Sequence, residues 1–131
     1  GLRQGALGVG IPVGYMTKGV TSYELYKYQE LAAKYGRISN GHVRFAGIRP
    51  PTEGAVGIQE MLSNAMVLDA PFMAVHLNSV MDWEYTIPLI NAAREKRGAK
   101  VWGEVYPYAA GSTIASTDIL SESSMAQMGI T

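Results

Sequence analysis

The most constraining feature of this 131-residue sequence is a regular alternation of short apolar segments and longer amphipathic ones. Corresponding positions in successive units, Val9, His42, His76 and Tyr108, lie 33, 34 and 32 residues apart. Strands that alternate with helices in this way favour βαβ units and a parallel sheet. This regular spacing suits a barrel, although it does not exclude an open sheet.

Four short apolar segments bounded by turn residues predict buried strands. They cover residues 6–13, 38–45, 71–77 and 100–106. A complete eight-stranded barrel needs about 250 residues, so four strands predict an α/β fold that is a partial (β/α)8 TIM barrel. We assign residues 1–115 to this partial barrel and residues 116–131 to a weakly patterned C-terminal tail.

Three amphipathic segments predict the intervening helices. The first is capped by a Thr21-x-x-Glu24 box and ends at Gly36, and the others span residues 53–68 and about 82–96, with Asp82 as a cap. Pro88 is an obstacle that should kink the third helix in its first turns. The residues predicted to face inward are Leu25, Tyr28, Leu31, Ala32 and Tyr35, then Ile58, Met61, Leu62, Ala65 and Met66, then Ile87, Ile90 and Ala93.

Composition excludes several classes of partner. Eleven basic and eleven acidic residues give a formal net charge of zero, so we expect no nucleic-acid partner. No apolar run approaches the roughly 18 residues of a membrane span, and there is no cysteine for disulfides or thiolate ligands. We expect a cytoplasmic protein. The two edge strands of a four-stranded parallel sheet would have unpaired backbone groups that can pair with other strands. We therefore also expect a homo-oligomer or other contacts that cover these edges.

The sequence contains two histidines, and each lies near the end of a predicted strand. Active sites of barrel enzymes gather at the carboxyl ends of the strands. Neutral imidazoles on neighbouring strands suit a zinc site, although a catalytic zinc needs about three protein ligands. Alternation along a strand predicts that His42 shares a face with Arg44, and His76 with Asn78. The alternative is that both histidines are satisfied polar residues at the rim.

Two further segments have both a functional and a structural interpretation. Ser112 and Thr113, after the fourth strand, could hold a carboxylate through hydroxyls and backbone N–H groups, or form an ordinary Gly-Ser turn. The glycines Gly8, Gly10 and Gly14 faintly suggest a dinucleotide-binding loop, but their spacing is wrong and Pro12 interrupts them. We therefore interpret these glycines as allowing close packing or a bent strand.

Four motifs together resemble the middle of an N-acyl-D-amino-acid deacylase (D-aminoacylase) of the amidohydrolase superfamily. They are GALGVG at 5–10, GHVR at 41–44, VHLNS at 75–79, and EVYPY at 104–108 followed by GST at 111–113. The likeness covers roughly residues 5–115, and its strength comes from the order and the barrel spacing of the motifs.

This resemblance implies a barrel whose strands four to seven are represented here. It implies zinc, as one or two ions in the complete enzyme, with His42 and His76 as ligands at the ends of strands five and six. It also implies a small-molecule substrate resembling an N-acyl amino acid. The positions expected to bind that substrate are Arg44, Asn78, Ser79, Tyr106, Tyr108, Ser112 and Thr113.

The sequence departs from the family in two respects. Many members have a lysine where this chain has Asn78, which leaves the substrate and its stereochemistry open. The family's His-x-His on strand one and its acid/base aspartate on strand eight match nothing here, so we expect an incomplete catalytic set and an inactive isolated chain. The alternative is a non-catalytic half-barrel that self-assembles without metal or activity.

Overall fold

The strands of this protein form one parallel sheet. The computed structural model describes residues 1–16, 19–44, 54–79, 83–113, 115–117 and 120–127. Its strands, in the order β1-β2-β3-β4, are β1 (Gly8–Ile11), β2 (Ile38–Gly41), β3 (Phe72–Ala74) and β4 (Val101–Gly103). Each pairs in parallel with the next along the chain. The predicted fold class, a partial barrel of four parallel strands alternating with helices, is confirmed.

Helices connect the strands and cover the sheet. They are α1 (Ser22–Lys34), α2 (Gly54–Val67), α3 (Trp83–Arg97) and the short α4 (Glu122–Gln127), with 3-10 helices at Leu2–Gln4, Val13–Tyr15 and Leu77–Ser79. Within the described ranges, no helix combines the length and apolarity needed to cross a membrane. The proposed boundary between barrel and tail near residue 115 stays a prediction.

Local signals at the ends of α1 act as predicted. The Thr21 hydroxyl accepts a hydrogen bond from the Glu24 backbone N–H at 3.1 Å, which caps the helix. Gly36 adopts φ +61°, the left-handed conformation that glycine adopts without steric penalty. Its N–H donates to the carbonyl of Ala33, and the N–H of Arg37 donates to that of Ala32. These bonds satisfy carbonyls at the end of the helix.

The buried face of α1 differs from the prediction. Leu25 and Ala32 are buried as expected, but Tyr28 and Leu31 are exposed by 42% and 44%. Gln29 is buried instead, because its amide donates to the Met61 carbonyl and accepts from Asn64. A polar side chain satisfied in this way can occupy the core without a large free-energy penalty.

The inner faces of α2 and α3 were predicted with one error each. Ile58, Met61, Leu62 and Ala65 of α2 are buried, as are Ile90 and Ala93 of α3. Met66 and Ile87 are exposed by 41% and 38%, and Thr86 takes the buried position on α3. Helix α3 continues through Pro88, and the predicted cap Asp82 lies outside the described residues. The core packs these helices onto a sheet centred on fully buried Phe72.

All four strands end earlier than the apolar segments that predicted them. Strand β2 ends at Gly41, and part of its predicted continuation, from residue 45, lies outside the described residues. Strand β3 ends at Ala74, and His76 then adopts φ +54°, which is incompatible with a strand. The functional candidates therefore lie on the loops that follow the strands.

Candidate metal centre

The carboxyl ends of β2 and β3 bring His42 and His76 together. His42 directly follows β2, and His76 is the second residue after β3. Their ring centroids are 5.0 Å apart, with an interplanar angle of 69°. The prediction placed both histidines at neighbouring strand ends, and the parallel pairing of β2 with β3 brings them into contact.

Both backbone polar groups of His42 are hydrogen-bonded to the segment at the end of β1. Its N–H donates to the Ile11 carbonyl at 3.1 Å, and its carbonyl accepts from the Gly14 N–H at 2.9 Å. A Cβ atom at Gly14 would lie 2.6 Å from the carbonyl oxygen of Val43. Glycine is therefore required for this close approach, which agrees with the packing interpretation of the N-terminal glycines.

His76 is held in an unusual conformation. Its φ of +54° is uncommon for a residue with a side chain, and such outliers cluster at functional sites. The ring atom Nδ1 is buried and has no hydrogen-bond partner among the described residues. The Glu104 Oε2 atom lies 3.5 Å from it, at the limit of hydrogen-bond distance.

The electrostatic environment favours neutral His42. Burial lowers the pKa of His42 most, the neighbouring His76 lowers it further, and Glu104 partly opposes both effects. A histidine with a lowered pKa stays neutral at neutral pH, and neutral imidazole is the form that binds metals.

The two histidines belong to a row of rings along the ends of all four strands. In order, the rings are Tyr15, His42, His76, Tyr106 and Tyr108, and successive centroids are 4.8, 5.0, 5.2 and 5.0 Å apart. Each pair meets edge to face, which is a favourable aromatic arrangement. Sequence reasoning did not identify Tyr15, although its position just after β1 was a usable signal. Glu104 entered the prediction only as the first residue of the EVYPY motif and had no role assigned to it.

Arg44 does not continue a strand with His42. The expected alternation fails because β2 ends at Gly41 and both residues follow it. The Arg44 side chain is 9% exposed, and its Nε donates to Glu60 Oε2 on α2 at 2.8 Å. Its Nη2 is buried and has no partner in the described part of the chain. Substrate binding by Arg44 stays a prediction, and the ion pair occupies its Nε.

Asn78 contacts the loop after β4. Its side-chain Nδ2 donates to the Tyr106 carbonyl, and its Oδ1 accepts from the Tyr106 N–H, both at 2.7 Å. The backbone of Ser79 closes the adjacent 3-10 helix. Tyr108, Ser112 and Thr113 are exposed beyond β4, with Tyr108 at 70%. Substrate binding by this group stays a prediction.

The chemistry of the paired imidazoles fits part of a zinc site. His42 and His76 follow adjacent strands, His42 favours the neutral form, and the buried His76 Nδ1 makes no hydrogen bond to the residues that the structure describes. Among the residues that the structure describes, no group of three or more His, Cys, Asp or Glu side chains could hold a metal ion. The pair therefore matches two ligands of a site that needs more.

Comparison with known proteins shows a shared fold. No family model matches the sequence. No curated protein matches it either. Among solved structures, a D-hydantoinase has a TM-score of 0.54 at 20% identity, over 79% of this chain and 27% of that one. A dihydropyrimidinase from Brevibacillus agri NCHU1002 has a TM-score of 0.58 at 19% identity, over 78% and 26%.

A third structure, a D-hydantoinase (dihydropyrimidinase) from Thermus sp., has a TM-score of 0.52 at 18% identity, over 79% and 27%. The chain thus spans about a quarter of the length of these proteins. At these identities the similarity establishes the fold, and it extends over most of the four-stranded unit.

Proposed function

We propose that this chain is a barrel segment of a zinc-dependent amidohydrolase that cleaves the amide of an N-acyl amino acid or a similar compound. The observation that carries the proposal is the pairing of His42 with His76 at the carboxyl edge of a parallel sheet. Support also comes from the ordered motifs that resemble a D-aminoacylase. The solved structures of similar fold are named as hydantoinases and dihydropyrimidinases.

In this proposal, His42 and His76 supply two imidazole ligands. A bound zinc ion would polarise the scissile carbonyl and lower the pKa of a bound water. The contacts of the His42 backbone with Ile11 and Gly14 would hold its ring in place for ligation. Glu104, near the buried Nδ1 of His76, is placed to orient that ring, as carboxylates commonly do for metal-binding histidines.

The substrate would lie over the exposed end of the ring row. Tyr108 offers an accessible aromatic face, and the Ser112 and Thr113 hydroxyls could receive a carboxylate. Arg44, Asn78, Ser79 and Tyr106 complete the proposed substrate-binding set. The names of the similar structures suggest a second substrate class, cyclic amides such as hydantoins and dihydropyrimidines.

Catalysis would need groups beyond those that the described residues bring together. A hydrolytic zinc site needs about three protein ligands and a general base, and the described residues contain no cluster of that size. We therefore propose that the chain functions as part of a larger catalytic unit and does not turn over substrate alone. A cytoplasmic location is part of the same proposal.

A second candidate is a non-catalytic half-barrel that assembles with a copy of itself. The observation in its favour is that β1 and β4 are the outer strands of the described sheet. A cavity of about 820 Å³ lies beside β1 and is lined in part by Tyr28, Leu31 and Tyr35. Either a copy of this chain or further barrel strands would cover these edges.

Metal analysis combined with a hydrolysis assay separates the two candidates. The chain, together with any sequence encoded on either side of it, would be loaded with zinc and offered N-acetyl D- and L-amino acids, hydantoin and dihydrouracil. Bound zinc and turnover that are both lost in His42→Ala and His76→Ala would support the amidohydrolase. An Asn91→Ala variant, altered at an exposed position on α3, is the matched control. A chain that binds no zinc, hydrolyses none of these compounds and self-assembles in solution would favour the second candidate.

A further inference from the structure

The regular ladder between β3 and β4 ends just where the candidate site begins. The last paired residues are Ala74 and Gly103. One step further, the Glu104 N–H donates to the Ala74 carbonyl at 3.0 Å, and the Leu77 N–H donates to the Glu104 carbonyl at 2.9 Å. The chain then enters the 3-10 helix Leu77–Ser79, so regular strand pairing does not continue to Tyr106.

The side chain of Asn78 takes the place of the missing backbone partner. Its Oδ1 accepts from the Tyr106 N–H, and its Nδ2 donates to the Tyr106 carbonyl, both at 2.7 Å. A carboxamide presents one acceptor and adjacent donors, as a peptide group does. Both distances are at the short end of the normal range for N–H···O hydrogen bonds. The Asn78 amide thereby extends the contact between the two chain segments by one residue pair.

This clasp, defined as the two Asn78–Tyr106 hydrogen bonds, fixes the neighbours of His76. Tyr106 packs its ring 5.2 Å from the His76 ring, centroid to centroid. Glu104 makes the Leu77 contact two residues before the clasp, and its Oε2 is 3.5 Å from the His76 Nδ1. One side-chain amide therefore helps to hold the segment that supplies Tyr106 and Glu104, which contact this imidazole together with His42.

We propose that Asn78 is a positioning residue, which holds Tyr106 and Glu104 against His76 and so sets the orientation of that candidate ligand. The effect of Asn78 on metal binding rests on the proposed metal site, whereas the two hydrogen bonds of the clasp do not depend on it. Positioning is a role beyond the substrate binding expected from the sequence, and it is carried by the two hydrogen bonds that join the Asn78 amide to Tyr106.

Two variants separate the parts of the clasp. Asn78→Ala removes both hydrogen bonds, whereas Asn78→Asp keeps an acceptor for the Tyr106 N–H and places a second oxygen against the Tyr106 carbonyl. Because Asn78 is exposed, we expect both variants to fold. Asn91→Ala, at an exposed position on α3, is the matched control.

The first measurement uses the metal-free full chain and NMR. We expect the Tyr106 amide to exchange about tenfold faster in Asn78→Ala, and the nuclear Overhauser contact between the Tyr106 and His76 rings to weaken. In Asn78→Asp, the amide should stay protected while the ring contact weakens. Amide exchange and ring contact that are unchanged in Asn78→Ala would overturn the clasp.

The second measurement is a zinc titration of the same proteins, followed through the imidazole nitrogens. We expect Asn78→Ala to bind zinc about tenfold or more weakly, the range typical of groups that orient metal ligands. Equal affinity in a variant that has lost the ring contact would overturn the positioning role. Failure of the unaltered chain to bind zinc would refute the proposed metal site and, with it, the role of Asn78 in metal binding. The metal-free measurement would still decide whether the clasp exists.

Discussion

Gly57 allows α2 to pack closely on the segment that follows His42. A Cβ atom built at Gly57 would lie 2.3 Å from the Arg44 carbonyl oxygen, 2.9 Å from the Arg44 nitrogen and 2.9 Å from the Val43 Cβ. Two of these three atoms are backbone, so no side-chain rotation relieves the clash. We predict that Gly57→Ala separates α2 from this segment and destabilises the protein.

The size of the effect follows from two opposing terms. The Arg44 carbonyl must retreat from 2.3 Å to the 3.4 Å at which ordinary contact begins, a movement of about 1.1 Å. Overpacking of this kind costs about 1–3 kcal/mol, and we take the upper end because backbone must move. Alanine returns about 1 kcal/mol through its higher helix propensity. The expected net loss is therefore about 2 kcal/mol in the free energy of unfolding.

Urea unfolding followed by circular dichroism measures this loss. Gly111→Ala is the matched control, since no atom lies within 4 Å of its added Cβ atom, and it should change stability by less than about 0.5 kcal/mol. Because Arg44 is two residues from His42, the NMR contact between the two imidazole rings should also weaken in Gly57→Ala. A Gly57→Ala protein at least as stable as the original would refute the packing argument.

Three further predictions concern the core, a buried ion pair and pH. Phe72→Ala should cost about 3–5 kcal/mol by urea unfolding, because Phe72 is fully buried in a central strand, and a loss below 1 kcal/mol would contradict its place in the core. Glu60→Leu should cost about 3 kcal/mol in the same assay, because it leaves the buried Arg44 guanidinium unpaired, whereas a neutral effect would mean that the ion pair is dispensable. Because the pKa of His42 is lowered in the folded protein, the unfolded chain binds the proton more readily, and the free energy of unfolding should fall as pH drops below about 6.5. His42→Gln should reduce that fall. An unchanged pH profile in the variant would count against a buried, neutral His42.

The sequence predicted the strands and helices well because their signals are local. Apolar runs located β1 to β4, and the Thr21 and Gly36 signals located the ends of α1. Strand ends were overestimated, since apolar character continues past Gly41 and Ala74 although the pairing stops there. Hydrophobic periodicity also misplaced part of the α1 face, because it cannot anticipate that Gln29 is satisfied in the core by hydrogen bonds from distant residues.

The candidate site was predictable where it depended on strand order. Parallel neighbours bring His42 and His76 to one edge, and that inference needed only the barrel spacing. The directions of Arg44 and Asn78 were not predictable, because they depend on backbone that has already left the strands. Arg44 pairs with Glu60, and Asn78 binds the backbone of Tyr106. Both contacts join segments that are distant in sequence and carry no local pattern.

The central claim, that His42 and His76 are two ligands of one metal site, can be tested directly by zinc titration of a ¹⁵N-labelled chain. The sequence has two histidines, so the variants His42→Ala and His76→Ala assign the imidazole nitrogen resonances to each ring. The account predicts that nitrogens of both rings shift together and saturate at the same zinc concentration, that His76→Ala weakens the response of His42, and that the hard, oxygen-preferring Mg²⁺ has no such effect. Resonances that do not move, or that move for one histidine alone, would contradict it.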